Sequence, residues 1–328
     1  MLSPITIRPA RNSEHEYRAI AALAERAPSQ ELCDFEYACP QELRDFDEGF
    51  AAVGSSVKRY LAYNPHGAPI AYATAFRPTW SRGSSQYWTV LRVEPSYRRQ
   101  RVGRMLCERV LADASTTGAG SLAMEVQLAL PDMLAAANRF GFQETLRSVE
   151  LRLDTRSCDI GKHCHYLSRL ASHGIEIVTL AVLKKRDPQW LAKLHKLYLA
   201  ISRDVPIPER PTLSQAQLAT LIEHSPGALP ESFFVAVDGE NYAGQSFLHH
   251  APDGHTLLQK LTGVLPSYRG LGIAQALKVH TILYAQTHGY STISTWVETC
   301  NEAMLGINQR FGFVIQSGGV ALVERPVE

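Results

Sequence analysis

The residues of this chain best suited to chemistry stand together in one stretch, Val264-Leu265-Pro266-Ser267-Tyr268-Arg269-Gly270-Leu271-Gly272-Ile273-Ala274. Its glycines let the backbone approach a ligand closely and take a positive φ. From Ile273 onward the pattern is helical, and the first N–H groups of a helix are free and carry partial positive charge. Such a loop is an anion site, and a pyrophosphate suits it. Arg269 places a fixed cation beside it.

The flanking elements must hold that loop in place. Residues 175–183 are apolar and β-branched and predict a strand. Asp187-Pro188 opens a helix, since Asp caps and Pro suits the first helical position. Leu191, Leu194, Tyr198 and Ile201 recur along it at helical spacing. The Pro-rich stretch 205–211 reads as a loop before a second helix from Ser214. Residues 233–237 and 242–248 form a hairpin around Asp238-Gly239. A strand over 256–264 delivers the glycine loop, and a helix over 273–287 leaves it. A strand over 292–297, a helix over 303–311 and strands within 314–323 complete the series.

The series occurs twice. Val93-Glu94-Pro95-Ser96-Tyr97-Arg98 returns as Val264-Leu265-Pro266-Ser267-Tyr268-Arg269, and Arg139-Phe140-Gly141-Phe142 as Arg310-Phe311-Gly312-Phe313, both 171 residues on. Leu61-Ala62-Tyr63 faces Val235-Ala236-Val237 at 174, so three residues separate the copies upstream. A domain-sized repeat is a duplicated fold. We expect one domain over 1–154, a connection over 155–174 and a second domain over 175–328. The connection holds Cys158, His163, Cys164, His165 and His173, whose spacing fits no usual zinc pattern, so no metal site is expected. The first copy reads Arg98-Arg99-Gln100-Arg101-Val102-Gly103, with Arg101 in place of Gly272, and has Leu130 and Ala137 in place of Asn301 and Asn308. A side chain at that turn should obstruct the cradle, so the first domain is expected to be catalytically silent.

The second-copy loop resembles the Gln/Arg-x-x-Gly-x-Gly/Ala signature of the GNAT acyltransferases. Asn301-Glu302-Ala303-Met304-Leu305-Gly306-Ile307-Asn308-Gln309-Arg310-Phe311-Gly312-Phe313 resembles that family's second motif. The resemblance implies an α+β chain of two tandem folds. Each would be a mixed, mostly antiparallel sheet with helices on both faces and a splayed central strand pair. It implies acetyl-CoA as co-substrate, held by Val264, Arg269, Gly270, Leu271, Gly272, Ile273, Ala274 and Asn301. The thioester carbonyl would meet a backbone N–H near Val264, and an amine would attack directly. The family often has a Tyr acid where this chain has Asn308, which can orient a group but not readily give up a proton. Glu298, ending the next strand, is the candidate base, with His249 and His250 as alternatives. Asp204 lies where the acceptor-site rim is expected and could bind a substrate ammonium. Cys300 is read as a spectator thiol.

The implied acceptor is a primary amine of a small molecule or peptide. Modification of a protein N-terminus or lysine, or acyl-CoA sensing without turnover, are the rival readings. The totals bound the rest. The chain has 328 residues, 45% hydrophobic and 20% charged, enough for two cores. A net charge of +1 gives no case for nucleic-acid binding. Six sparse cysteines (Cys33, Cys39, Cys107, Cys158, Cys164 and Cys300) read as reduced thiols. No apolar run approaches the roughly 20 residues of a membrane span, and no basic-then-apolar leader opens the chain. A cytoplasmic monomer or homodimer, without membrane association, is expected.

Overall fold

The computed structural model describes residues 5–26, 39–52, 55–78, 85–206, 213–225, 227–251 and 253–327. In chain order the elements begin with β1 (Thr6–Pro9), α1 (Glu14–Arg26), α2 (Pro40–Ala52), β2 (Val57–Tyr63), β3 (Pro69–Phe76) and β4 (Gln86–Val93). They continue with α3 (Val102–Ser115), β5 (Ser121–Gln127), α4 (Pro131–Arg139), β6 (Gln143–Asp154) and α5 (His165–Ser172). Then come β7 (Ile175–Thr179), α6 (Leu180–Arg186), α7 (Trp190–Ser202), α8 (Gln215–Glu223), β8 (Phe234–Asp238), β9 (Asn241–Ser246) and β10 (Leu248–His250). The chain closes with β11 (Thr256–Gln259), β12 (Gly263–Val264), α9 (Ile273–Thr287), β13 (Thr292–Glu298), α10 (Glu302–Arg310), β14 (Val314–Ile315) and β15 (Val320–Pro326).

These form two compact units, Met1–Leu146 with Val320–Glu328, and Arg147–Gly319. The first is a mixed sheet in the order β1-β2-β3-β4-β5-β15, antiparallel except for β4 and β5. That parallel pair is joined only from Gln86↔Ser121 to Trp88↔Ala123, and the rest of β4 parts from β5. Leu106, Val110, Leu122, Val126, Ala321 and Val323 pack in its core.

The second unit repeats the plan. β7, β8, β9 and β12 form one antiparallel run, and β10, β11, β13 and the later part of β6 form the next. α6, α7 and α8 cover one face through Leu183, Leu194 and Leu218 against Val235 and Val237. α9 covers the other through Ile273, Ala276 and Leu277 against Phe234 and Ala236. Helices thus lie on both faces.

Two features differ from the sequence reading, and a third lies largely outside the described residues. The apolar stretch 175–183 is a strand only to Thr179, where α6 begins. The Pro-rich loop falls partly on residues 207–212, outside the described residues. The compact units also exchange their closing strands relative to the repeat boundaries at 154 and 175. Residues 148–154 of β6 pair antiparallel with β13, burying Leu151 and Leu153 in the second core. β15 pairs along its length with β5 of the first unit. The later part of β6 alternates apolar and polar while β15 opens on an apolar run from Val320 to Val323, and either sheet accepts both, so pattern alone cannot assign them.

Residues 155–174 also do more than connect. Thr155 donates its hydroxyl to Tyr290 O (2.6 Å), and Gln286 Nε2 donates to Thr155 O and Cys158 O. His163 stacks on Phe311 at 4.1 Å. Leu170 of α5 packs in the core with Leu277 of α9.

Candidate functional site

The site begins where two parallel strands part. β11 and β13 pair from Thr256↔Thr292 to Leu258↔Ser294. Beyond that point Gly263 and Val264 pair with Gln245 and Gly244, while Trp296 and Glu298 pair with Glu150 and Ser148. The predicted strand 256–264 is therefore real in extent but broken at residues 260–262. Gly263 permits the closing approach of α7, because a Cβ there would stand 2.8 Å from the Ile201 side chain. Leu265 N–H is spent on Ala243 O (2.9 Å). By strand alternation the N–H of Val264 points the other way, into the parting.

The parting opens a cleft of about 640 Å³. Leu261, Thr262, Gly263 and Val264 form one wall, and Met304, Ile307 and Arg310 of α10 contribute another. The loop closes the end. After the turn Pro266–Tyr268, Tyr268 Oη donates to Asp238 Oδ2 (2.9 Å) and Arg269 Nε donates to Val264 O (3.3 Å). Gly270 and Gly272 take φ of 80° and 91°, left-handed conformations that favour glycine. A Cβ on Gly272 would also meet the Tyr166 ring at 3.2 Å. The first hydrogen bond of α9 is Ala276 N–H to Gly272 O, which leaves the N–H groups of the first turn without helical partners.

Charge in the cleft suits an anion. Arg169, Arg269 and Arg310 line it, and Asp204 is the one acid among the described lining residues. Asp204 forms an ion pair with Arg269, and Arg169 donates to Gly270 O (3.1 Å). Open loop N–H groups, three guanidinium groups and glycine where a Cβ would crowd the turn together fit a bound pyrophosphate.

Of the residues singled out from sequence, Val264, Arg269, Gly270, Gly272, Ile273, Ala274, Asn301 and Asp204 line this cleft. Leu271 instead packs against the core beneath α9. Asn301 caps α10, its side chain accepting from Met304 N–H at 3.2 Å. Asn308 is fully buried, and neither side-chain amide atom has a partner. Glu298 is half-buried at the end of β13, and burial raises its carboxyl above the ordinary range. Neither Asn308 nor Glu298 is part of the cleft wall described above. His249 is buried with Nε2 unpaired, and burial first, then Lys260 and His250, lowers its pKa to about 4. Tyr166 and Arg169 escaped the sequence reading, although Tyr166, Leu167 and Leu170 already mark one apolar face of a short helix.

The first unit offers a comparison. Arg99 and Arg101, 171 residues before Gly270 and Gly272, take φ of 61° and 66°. The backbone bend therefore survives with arginine at both positions. Such conformations cost about 1–2 kcal/mol per residue. Arg99 is turned to Asp132, and Leu130, which precedes α4, gives it no side-chain cap.

A mixed sheet parted at its central parallel pair, with a glycine-lined helix start at the parting, is the fold plan of the acyl-CoA-dependent acyltransferases. The acetyltransferase (GNAT) family profile matches residues 20–142 and 194–313, and the chain belongs to that family. A mycothiol acetyltransferase of Renibacterium salmoninarum is 29% identical over 234 residues, 67% of this chain and 62% of that protein. One from Paenarthrobacter aurescens is 31% identical over 90 residues, 26% of this chain and 28% of that protein. The matched spans thus cover less than two thirds of these relatives. A tandem GNAT protein from the clavulanic acid biosynthesis pathway superposes with TM-score 0.71 at 17% identity, covering 99% of each chain. A GCN5-related N-acetyltransferase from Sphaerobacter thermophilus gives 0.68 at 15%, over 99% of this chain and 96% of its own. At such identity these two speak to the fold alone.

Proposed function

We propose that the second unit transfers an acetyl group from acetyl-CoA to a primary amine of a small molecule or peptide. The carrying observation is the arginine-lined cleft at the strand parting, closed by the Gly270 and Gly272 turn. Loop N–H groups from Gly270 to Ala274, with Arg169 and Arg269, would hold the phosphates. Asn301, Met304 and Ile307 would flank the pantetheine arm. Val264 N–H would receive the thioester carbonyl and stabilise the oxygen as negative charge develops, usually the largest catalytic contribution. The amine nitrogen forms a bond to the carbonyl carbon, the carbon–sulfur bond breaks, and the nitrogen's proton is balanced by protonation of the thiolate. No side-chain nucleophile is required.

Glu298 is the proposed base, acting directly or through water. A base must be unprotonated, so its contribution falls as pH drops through its burial-raised pKa. Glu298→Gln should lower kcat by about 100-fold and remove that acidic limb, with acetyl-CoA affinity unchanged. A pH–rate profile identical to the parent's would take Glu298 out of the mechanism. Asn308 can orient the arm or a water but offers no ready acid, and a thiolate of ordinary pKa, about 8.5, departs without one. The reading as a whole is tested by incubating the protein with acetyl-CoA and a panel of amines while free thiol is followed. Tight acetyl-CoA binding with no amine-dependent thiol release would favour the sensor.

A further inference from the structure

Behind the cleft wall lies a buried chain of polar groups that the proposed reaction has not used. Lys278 of α9 is 1% exposed, and its Nζ donates to Gln259 Oε1 at 3.3 Å. Thr281 Oγ1 lies 3.0 Å from the same oxygen and from Lys278 O, and its one proton can serve either. Gln259 Nε2 donates to Ser246 Oγ (2.9 Å) and Phe247 O (3.0 Å), and Ser246 Oγ lies 2.7 Å from Thr262 Oγ1. Thr262 is on the wall of the cleft, two residues before Val264.

The direction of the chain follows from donor chemistry. Phe247 O can only accept, so the amide nitrogen of Gln259 must face it, and the carboxamide oxygen is turned to Lys278, whose ammonium can only donate. The amide nitrogen must then face Ser246, whose oxygen accepts. Ser246 is fully buried, and Thr262 Oγ1 is the acceptor in reach of its proton. Ser246 therefore donates to Thr262, and the Thr262 proton is released to point elsewhere. A buried donor is not left unpaired without cost, so this ordering is strongly favoured over its reverse.

The first unit shows that the fold does not demand this chain. The 171-residue offset puts Leu91, Cys107 and Val110 at the positions of Thr262, Lys278 and Thr281, and strand pairing puts Thr89 at the position of Gln259. Strand register puts Ala73 at the position of Ser246, since Leu91 pairs with Ala73. Only Thr89 carries a hydroxyl, and that buried hydroxyl has no hydrogen-bond partner. The unit that lacks the open glycine turn also lacks the polar chain.

We propose that Thr262 donates its hydroxyl hydrogen bond to the acyl carbonyl oxygen, as a second donor beside Val264 N–H, and that Lys278, Gln259 and Ser246 are positioning residues that aim it. This rests on the acyl-transfer reading for the ligand. In the full chain, Thr262→Val should lower kcat by about 100-fold, the usual loss of one such donor, with the acetyl-CoA dissociation constant nearly unchanged. Thr262→Ser should keep most activity, and adding Ser246→Ala to Thr262→Val should cost little more. Isotope-edited infrared spectra of bound acetyl-CoA, labelled at the carbonyl carbon, read the contact without turnover. The thioester stretch should move to higher frequency in Thr262→Val and not in Thr262→Ser. A stretch unmoved by Thr262→Val in a folded, acetyl-CoA-binding protein would overturn the proposal, whether or not amines are acylated. A stretch that moves in a protein inactive on every amine would uphold the contact and defeat the acyl-transfer reading.

Discussion

Replacing Gly272 by arginine will lower acetyl-CoA affinity by about 100-fold or more while the chain still folds. The expectation of folding comes from the other copy, where Arg101 holds φ at 66° at the start of α3. The strain of a left-handed arginine is about 1–2 kcal/mol, which lowers the melting temperature but does not unfold an ordinary domain. Binding is lost for a different reason. The new Cβ would stand 3.2 Å from the Tyr166 ring, and the side chain would fill the turn that the phosphates need. A 100-fold loss is about 2.7 kcal/mol, well within what a blocked anion cradle forfeits. Calorimetric titration with acetyl-CoA, alongside a thermal melt, separates the two effects. Near-parental affinity in Gly272→Arg would move the cofactor site away from this loop.

The glycine turn was legible because its physics is local. Positive φ, a helix start and a preceding strand leave marks at fixed spacing, and Gly270 and Gly272 were found from them, whereas Asn301 came from the family resemblance. Other features depend on contacts between distant segments. The Val149, Leu151 and Leu153 alternation identifies a strand, but only the register with β13 places it in the second unit. The lysine of the polar chain carried a weaker signal that was passed over. α9 is apolar nearly all round, with Ile273, Ala276, Leu277, Val279 and Ile282 all buried, and such a helix leaves no wet side for Lys278. Asn308 was placed correctly on α10, but its burial and its unpaired amide follow from packing that spacing does not encode.

Lys278→Met should make the protein more stable at pH 7 and flatten the pH dependence of its stability between about 7 and 10. Burial pushes the Lys278 amine down to about 7 from its ordinary value near 10.5. The folded pKa is therefore depressed, and within this window the unfolded chain binds a proton that the folded chain does not. Stability contributed by this group consequently rises with pH and is lost as pH falls toward 7. The shift corresponds to a penalty on the order of 4 kcal/mol at pH 7, reduced by the Phe313 ring 4.9 Å from Nζ. Methionine fills a similar volume and carries no such penalty, and the Thr281 hydroxyl stays within reach of Gln259 Oε1. Other groups titrate nearby. The buried Cys107 thiol, raised to about 11, works in the opposite sense toward the alkaline end. Comparing parent and variant at each pH cancels that contribution. Urea unfolding at pH 7, 8 and 9 should give curves that converge as pH rises, and parallel curves would show that Lys278 does not titrate in this range. If the stabilised variant also turns over more slowly, the lysine is retained at a cost in stability for its place behind Thr262, which is the usual trade between a rigid fold and a working site.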